Sequence, residues 1–350
     1  MSEEPIAGLV PVDVPNPRYR PNQLFMAFET YYSPRVALLK ERYGLERVVA
    51  GETDEWRRIR LLRHWIHAHI RIENKHPTRT RADAFAILDA ALAGGVFECT
   101  HFSIVQHAVL NSFGYVSRRL GAGPGEIDNG GHHGVNEVWV NSLCKWVLVD
   151  AKYDLHFEKD GVPLSAHDIR AEVWRDEAKS VVLRYGMEGA AASDDPAFRD
   201  ERPSPFTYRW VNVETSTNRF TAHPVRLPSS VVTLDDEYSR THTWYRDGVP
   251  APIFNSPYSH KTPELDWIEW TPNVIDSSVR VDRGEVCVCL TSFTPNLRTY
   301  QIATGNGAWA DCDDEVTVVP SGETTIYEFR AMNLFGVAGP PHRVRIDRVS

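Results

Sequence analysis

A chain of 350 residues is long enough for about two domains. Its 42% apolar and 24% charged residues are those of an ordinary globular protein, and a net charge of −9 leaves no basic excess, which excludes a general binder of nucleic acid or anionic membrane. No apolar run approaches the roughly 18 residues that a membrane-spanning helix needs.

The opening segment, MSEEPIAGLVPVDVPNP, has no basic region followed by an apolar one, so the expected location is cytoplasmic, or secreted if a signal has been removed. Residues 1–30 are rich in proline and read as an extended arm laid over a domain. Ser33-Pro34 opens a short helix with proline at its first position, and Gly44 closes it. A stronger helix is predicted from Asp54, because Trp56, Ile59, Leu62, Ile66 and Ile70 recur at intervals of three and four. His64, His67 and His69 lie on or beside it. Their spacing invites a metal, but no carboxylate or cysteine joins them in sequence, and they read as helix surface or pocket lining, with no metal and no cofactor expected. A third helix covers about 82–93 and ends at Gly94-Gly95. A fourth begins at Cys99, carries Phe102, Val105, His107, Ala108 and Val109, and closes at Gly114.

Tyr115–Gly121 reads as a strand, and residues 122–131 as a glycine-rich loop without the lysine or glycine spacing of a phosphate cradle. Strands follow at about 133–140 and 145–150, with Asn141-Ser142 starting the turn between them. Ser165 to Arg175 reads as a helix, with a serine cap and Asp168 three residues on, and a further helical piece is expected to reach Tyr185. Residues 189–205 read as a polar linker, and Phe206–Glu214 as a candidate strand. Beyond about 222, strands at 231–234, 285–291, 299–303, 324–332 and 343–347 suggest a β-sandwich. In one of them Tyr327, Phe329 and Ala331 alternate with polar or outward positions. The five cysteines, Cys99, Cys144, Cys287, Cys289 and Cys312, are too few and too scattered for a disulfide framework, and Cys287 and Cys289 in EVCVCLT read as small core residues of a buried strand. The expected class is α+β, helices packed on an antiparallel sheet followed by a β-sandwich. The expected divisions are an arm and short helix at 1–50, a catalytic domain at 51–188, a linker and bridging strand at 189–222, and the sandwich at 223–350.

Three residues between Gly94 and Asp154 carry the chemistry. Cys99 sits in a first helical turn, where unpaired N–H groups and the positive end of the dipole favour thiolate. His133 opens the strand HGVNEVWV, and Asp150 closes KWVLVD. A thiol nucleophile, an imidazole base and a carboxylate that orients it form the pattern for covalent acyl chemistry, with the Cys99 N–H as one oxyanion donor. Trp65, His69 and Asn74 are candidates for the second donor, the first two also as substrate-binding residues. His101 is a candidate pocket-lining residue, and His132 a rival base or substrate contact. Alternation along a strand lets only one of His132 and His133 face Cys99, and the spacing to Glu137 favours His133. Glu137 reads as structural, and Trp139, with Trp146, as core first and substrate platform second.

In order, GGVFECTHFS, His133-Gly-Val-Asn-Glu137-Val138-Trp139 and Trp146-Val-Leu-Val-Asp150 resemble the transglutaminase-like superfamily, relatives of papain, and LLRHWIHAHIRI resembles the helix these domains carry before the cysteine. The resemblance covers about residues 55–155 and implies Cys99 as nucleophile, His133 as base and Asp150 as orienter. The family's proline after the aspartate is Ala151 here, Val135 replaces a frequent tryptophan, and Glu98 beside the thiol would raise its pKa if it pointed inward. The C-terminal sequence GAWADCDDEVTVVPSGETTIYEFRAMNLFGVAGPP resembles immunoglobulin-like or fibronectin-like modules. The implied activity is a thiol amidase or peptidase acting on a peptide, protein or glycopeptide through a Cys acyl-enzyme. One alternative is a transamidase passing the acyl group to an amine, and another is a non-catalytic module recognising a protein or glycan.

Overall fold

The computed structural model describes residues 8–25, 27–123, 132–187, 190–191, 203–216, 231–235, 245–246, 249–250, 259–282, 284–305 and 307–349, and the protein is an α+β structure. Most of the expected glycine-rich loop at 122–131 and of the linker at 189–205 lies outside those residues. By contacts the chain divides into two compact units, one of Met1–Asn22, Asn141–Cys144 and Trp270–Ser350, the other of Gln23–Val140 and Lys145–Glu269.

The second unit carries Cys99, His133 and Asp150. Its helices start where the sequence supplies a cap. The Asp54 side chain accepts from Arg57 N at the head of Glu55–His69, and Asp83 accepts from the amides of Phe85 and Ala86 at the head of Ala84–Leu92. Ser165 and Asp168 form a reciprocal capping box on Ala166–Asp176. Ile59, Leu62 and Ile66 turn the apolar stripe of the first of these helices inward, each fully buried. The helix Cys99–Ser112 is buried on nearly every side after its first turn, because it packs on helices and on the histidine strand together.

That strand, His133–Val140, lies in a six-stranded sheet in the order Ser259–Thr262, Val231–Leu234, Trp210–Glu214, Ser117–Gly123, His133–Val140, Lys145–Val149. All neighbours are antiparallel except the first two. The strand at 231–234 therefore joins this sheet rather than the C-terminal sandwich in which the sequence placed it. Val231 and Val232 are buried there, and Trp210–Glu214 offers them an open edge. The helical piece expected near Tyr185 is instead a strand, Val182–Tyr185, paired antiparallel with Leu155–Lys159. Its Val-Leu-Arg-Tyr composition suits a pleated edge better than a helix. Phe206–Glu214 splits into a 3-10 turn, Pro205–Tyr208, and the strand Trp210–Glu214, since Pro205 supplies no N–H to a ladder.

In the first unit, Gly8–Val12 is an edge strand paired with His342–Val349, so part of the proline-rich arm is built into a five-stranded sheet. A three-stranded sheet of Ile275–Asp282, Glu285–Ser292 and Glu315–Val318 faces it. Val286, Val288 and Leu290 from the smaller sheet and Tyr327, Phe329, Ala331, Val344 and Ile346 from the larger share one core, which makes this unit a sandwich.

Candidate active site

Cys99 is the first residue of its helix, and the residue before it, Glu98, takes the N-cap position without a side-chain capping bond. The amides of the first turn have no intrahelical carbonyl to bind, so the Cys99 N–H is open to a ligand. The histidine strand comes close because residue 134 is glycine. A Cβ there would lie 3.3 Å from Thr100 Cα and 3.5 Å from Thr100 N. The same closeness lets the Gly134 N–H hydrogen-bond the Cys99 sulfur.

His133 is buried, and its Nε2 meets Asp150 Oδ2 at 2.7 Å. Its other nitrogen, Nδ1, is left for the hydrogen bond that its ring makes with the sulfur. Asp150 is buried too, and its Oδ1 accepts from Lys152 N at 2.9 Å and Tyr153 N at 3.2 Å. Both oxygens of the carboxylate are thus fixed, one by the turn that ends its strand and one by the imidazole. Gln106, two turns along the cysteine helix, accepts from Ala151 N at 3.1 Å and ties the helix to that same turn.

Burial alone would push the Cys99 thiol up. Hydrogen bonds from the His132 and His133 rings, the charge on His133 and the Gly134 N–H outweigh it, and the pKa falls from 9.0 to about 4. For His133, burial works against the charged form, but Asp150 and then Cys99 favour it, and the pKa rises from 6.5 to about 9. Between those limits the resting pair is thiolate and imidazolium. His132, His133 and Gly134 act on the sulfur, while Glu98 neighbours it in sequence. Glu98 acts on His101, whose pKa is lowered mainly by burial.

The expectation that only one of the two histidines faces Cys99 is corrected. Both residues act on the sulfur: His132 and His133 each lower its pKa, and the thiol reaches the His132 carbonyl oxygen at 4.0 Å. The ladder begins at His133, so His132 precedes the pleat and is free of its alternation. Only His133 carries the Asp150 bond, which keeps the two roles distinct. His132 Nε2 and the Asn212 amide both lie over Gly121, whose absent Cβ would be 3.0 Å from the ring nitrogen and 2.8 Å from Asn212 Oδ1. Asn212 Oδ1 accepts from Gly121 N at 3.1 Å, which fixes its orientation, and its buried Nδ2 has no partner among the described residues. Sequence reasoning missed Asn212, since only the pairing of Trp210–Glu214 with Ser117–Gly123 brings it here.

The other sequence candidates separate. Trp65 stacks on His69 with ring centroids 4.4 Å apart, and His69 Nδ1 lies 2.7 Å from the Trp65 carbonyl oxygen. Asn74 Oδ1 accepts from Lys152 Nζ at 2.7 Å. His101 is half-buried with its ring 5.1 Å from that of Phe97, and its Nδ1 has no partner among the described residues. Trp139 is 1% exposed and packs edge-on against Trp146 at 5.9 Å, which leaves it no face for a substrate. His64, His67 and His69 turn to three different partners, Asp154, the Lys152 carbonyl and the Trp65 carbonyl, and do not converge.

Residues 44–151, which include Cys99, His133 and Asp150, match the family model described as the transglutaminase-like superfamily. No curated protein is significantly similar to the chain. Among solved structures it is similar to a candidate cysteine protease from Cytophaga hutchinsonii, at 14% identity and a TM-score of 0.28 over 45% of this chain and 50% of that one. A candidate protease from Parabacteroides distasonis is similar at 10% identity and a TM-score of 0.25, over 90% of this chain and 58% of that one. Red sea bream transglutaminase is similar at 10% identity and a TM-score of 0.25, over 91% and 57%. The chain thus spans between 50% and 58% of the length of these three.

Proposed function

Residues 44–151 are a transglutaminase-like domain, and from that premise we propose that the chain is a thiol-dependent hydrolase of amide or related acyl bonds, working through an acyl-enzyme on Cys99. The observation that carries the reading is the buried His133–Asp150 pair at 2.7 Å beside Cys99 at the start of its helix, and the lowered thiol pKa of about 4 agrees with it. The Cys99 thiolate attacks the carbonyl carbon, and the developing oxyanion takes the Cys99 N–H at the helix start. Asn212 Nδ2, buried, without a partner among the described residues and beside the His132 ring over Gly121, is the candidate for the second donor. The His133 imidazolium gives its Nδ1 proton to the leaving amine. The thioester is then hydrolysed by a water whose proton His133 accepts, while Asp150 holds the ring and balances its charge throughout.

Two measurements test this. A peptidyl acyloxymethyl ketone, which alkylates activated thiols, labels the full chain at Cys99 and leaves Cys99→Ala unlabelled. Equal labelling of both would end the proposal. The labelling rate is also expected to be flat between about pH 4 and pH 9. Below that window the thiolate is protonated, and above it the imidazolium is lost, so the rate of the ion-pair form falls on both sides. A single rise centred near the ordinary thiol value, 8.5 to 9, would show an uncoupled cysteine. Adding a primary amine during turnover and weighing the product by mass separates hydrolysis from acyl transfer.

A further inference from the structure

The sandwich unit holds a second group of chemically active side chains that the acyl chemistry does not use. In Glu285–Ser292 the residues Val286, Val288 and Leu290 point into the core, and the alternate positions carry Cys287 and Cys289. The reading of both cysteines as core residues is therefore wrong, because they sit half-exposed on the outer face. In the pairing with Glu315–Val318, Cys289 lies opposite Glu315 and Cys287 opposite Thr317. Cys287 Sγ donates to Glu315 Oε1 at 3.2 Å.

We propose that Cys287, Cys289 and Glu315 bind one thiophilic divalent cation of the zinc type, with water in the fourth position. Their ligand atoms, two Sγ and one carboxylate oxygen, all lie within 4.8 Å of one another. Around a tetrahedral zinc, bonds of about 2.3 Å to sulfur and about 2.1 Å to oxygen put the ligand atoms roughly 3.5 to 3.8 Å apart, so side-chain rotation closes the site without moving the ladder. Thiolate and carboxylate together select zinc or cadmium over magnesium and calcium, which take oxygen ligands alone. The electrostatics agree. Cys287 donates to Glu315 and lies two positions from Cys289 on the same face of its strand. Three groups able to become anionic thus face each other, and a dication relieves their repulsion. A nearby cation is Arg280, opposite Cys287 in the other ladder, with Nη2 3.9 Å from Glu315 Oε1. Its side chain is 75% exposed, so it can swing out as a metal enters. Binding balances as one divalent cation in and two thiol protons out, with no change of oxidation state.

The test uses the full chain as Cys99→Ala, which removes the reactive thiol from the count, kept reduced with a phosphine and stripped of metal by a chelator. Titration with cadmium is followed by the near-ultraviolet sulfur-to-cadmium charge-transfer band. One ion per chain, about two protons released and loss of the band in Cys287→Ser/Cys289→Ser are expected, with Glu315→Gln weakening affinity by about tenfold or more. Should the double variant fold poorly, alkylation of the cysteines followed by peptide mass mapping replaces it, and zinc must slow modification at Cys287 and Cys289 but not at Cys144 or Cys312. No band, an unchanged band in the double variant, or zinc protection spread over all four cysteines would each overturn the proposal.

Discussion

Asp150→Asn is expected to lower acyl turnover by a factor on the order of 10³ to 10⁴ while the protein stays folded. The amide keeps an oxygen for the Lys152 and Tyr153 N–H groups, so the turn that presents the residue survives. What changes is the partner of His133 Nε2, which lies 2.7 Å from the second carboxylate oxygen. An asparagine Nδ2 there is a donor, so Nε2 must accept, and the ring's one proton moves to Nδ1, facing the sulfur. An imidazole in that tautomer cannot take the thiol proton. The pKa shifts follow in sign. The largest influence raising His133 is the Asp150 charge, so without it the imidazole falls from about 9 toward or below 6.5. The thiol, having lost the charge on His133, climbs from about 4 toward the ordinary range. The two limits approach each other and the flat pH window closes. At pH 7 labelling by iodoacetamide should slow roughly 10- to 100-fold, as the thiolate becomes the minor form. An Asp150→Asn protein that labelled at the parental rate across the whole window would show that the carboxylate does not govern the pair.

How far the sequence carried depends on whether the information was local. Cys99 at a helix start was legible because Gly94-Gly95 breaks one helix and the apolar periodicity of the next begins at once. The strand boundaries at His133 and Asp150 were legible because one opens and the other closes a short run whose pattern marks a strand. His132 was misjudged because the alternation rule was extended one residue beyond the ladder, and only the pairing with Ser117–Gly123 shows where the pleat starts. Cys287 and Cys289 were misjudged although the signal was present. Counting cysteine as apolar turned the alternating pattern of EVCVCLT into a continuous buried run. The place of Asn212 and the sheet that Val231–Leu234 joins could not be read, since both follow from pairings across many residues.

The largest expected loss of stability comes from the pair that holds the histidine strand in register. Arg118 and Glu137 are direct partners in the ladder between Ser117–Gly123 and His133–Val140, and both side chains are fully buried. The Arg118 Nε lies 2.8 Å and its Nη2 2.6 Å from Glu137 Oε2. Glu137 Oε1 accepts from Ala166 N at 2.6 Å, Arg118 Nη1 donates to the Ile268 carbonyl, and the guanidinium sits 3.9 Å from the centre of the Trp146 ring. Removing the cation leaves a carboxylate that burial makes unaffordable as a charge, and Arg118→Met should cost about 3 to 5 kcal/mol. For a unit of this size that is a fall of about 6 to 20 °C in the melting transition that covers the site. The double variant Arg118→Met/Glu137→Leu removes both halves of the buried pair and is expected to recover part of the loss, since it still leaves the Ala166 N–H without its acceptor and takes the Arg118 guanidinium, 3.6 Å away, from Glu269, which is 15% exposed. If Arg118→Met melted within a degree or two of the parent, or if the double variant fell by the sum of the single changes, the pair would not be setting this register. The position of His133, four residues from Glu137 on the same face of the strand, would then rest on backbone pairing alone.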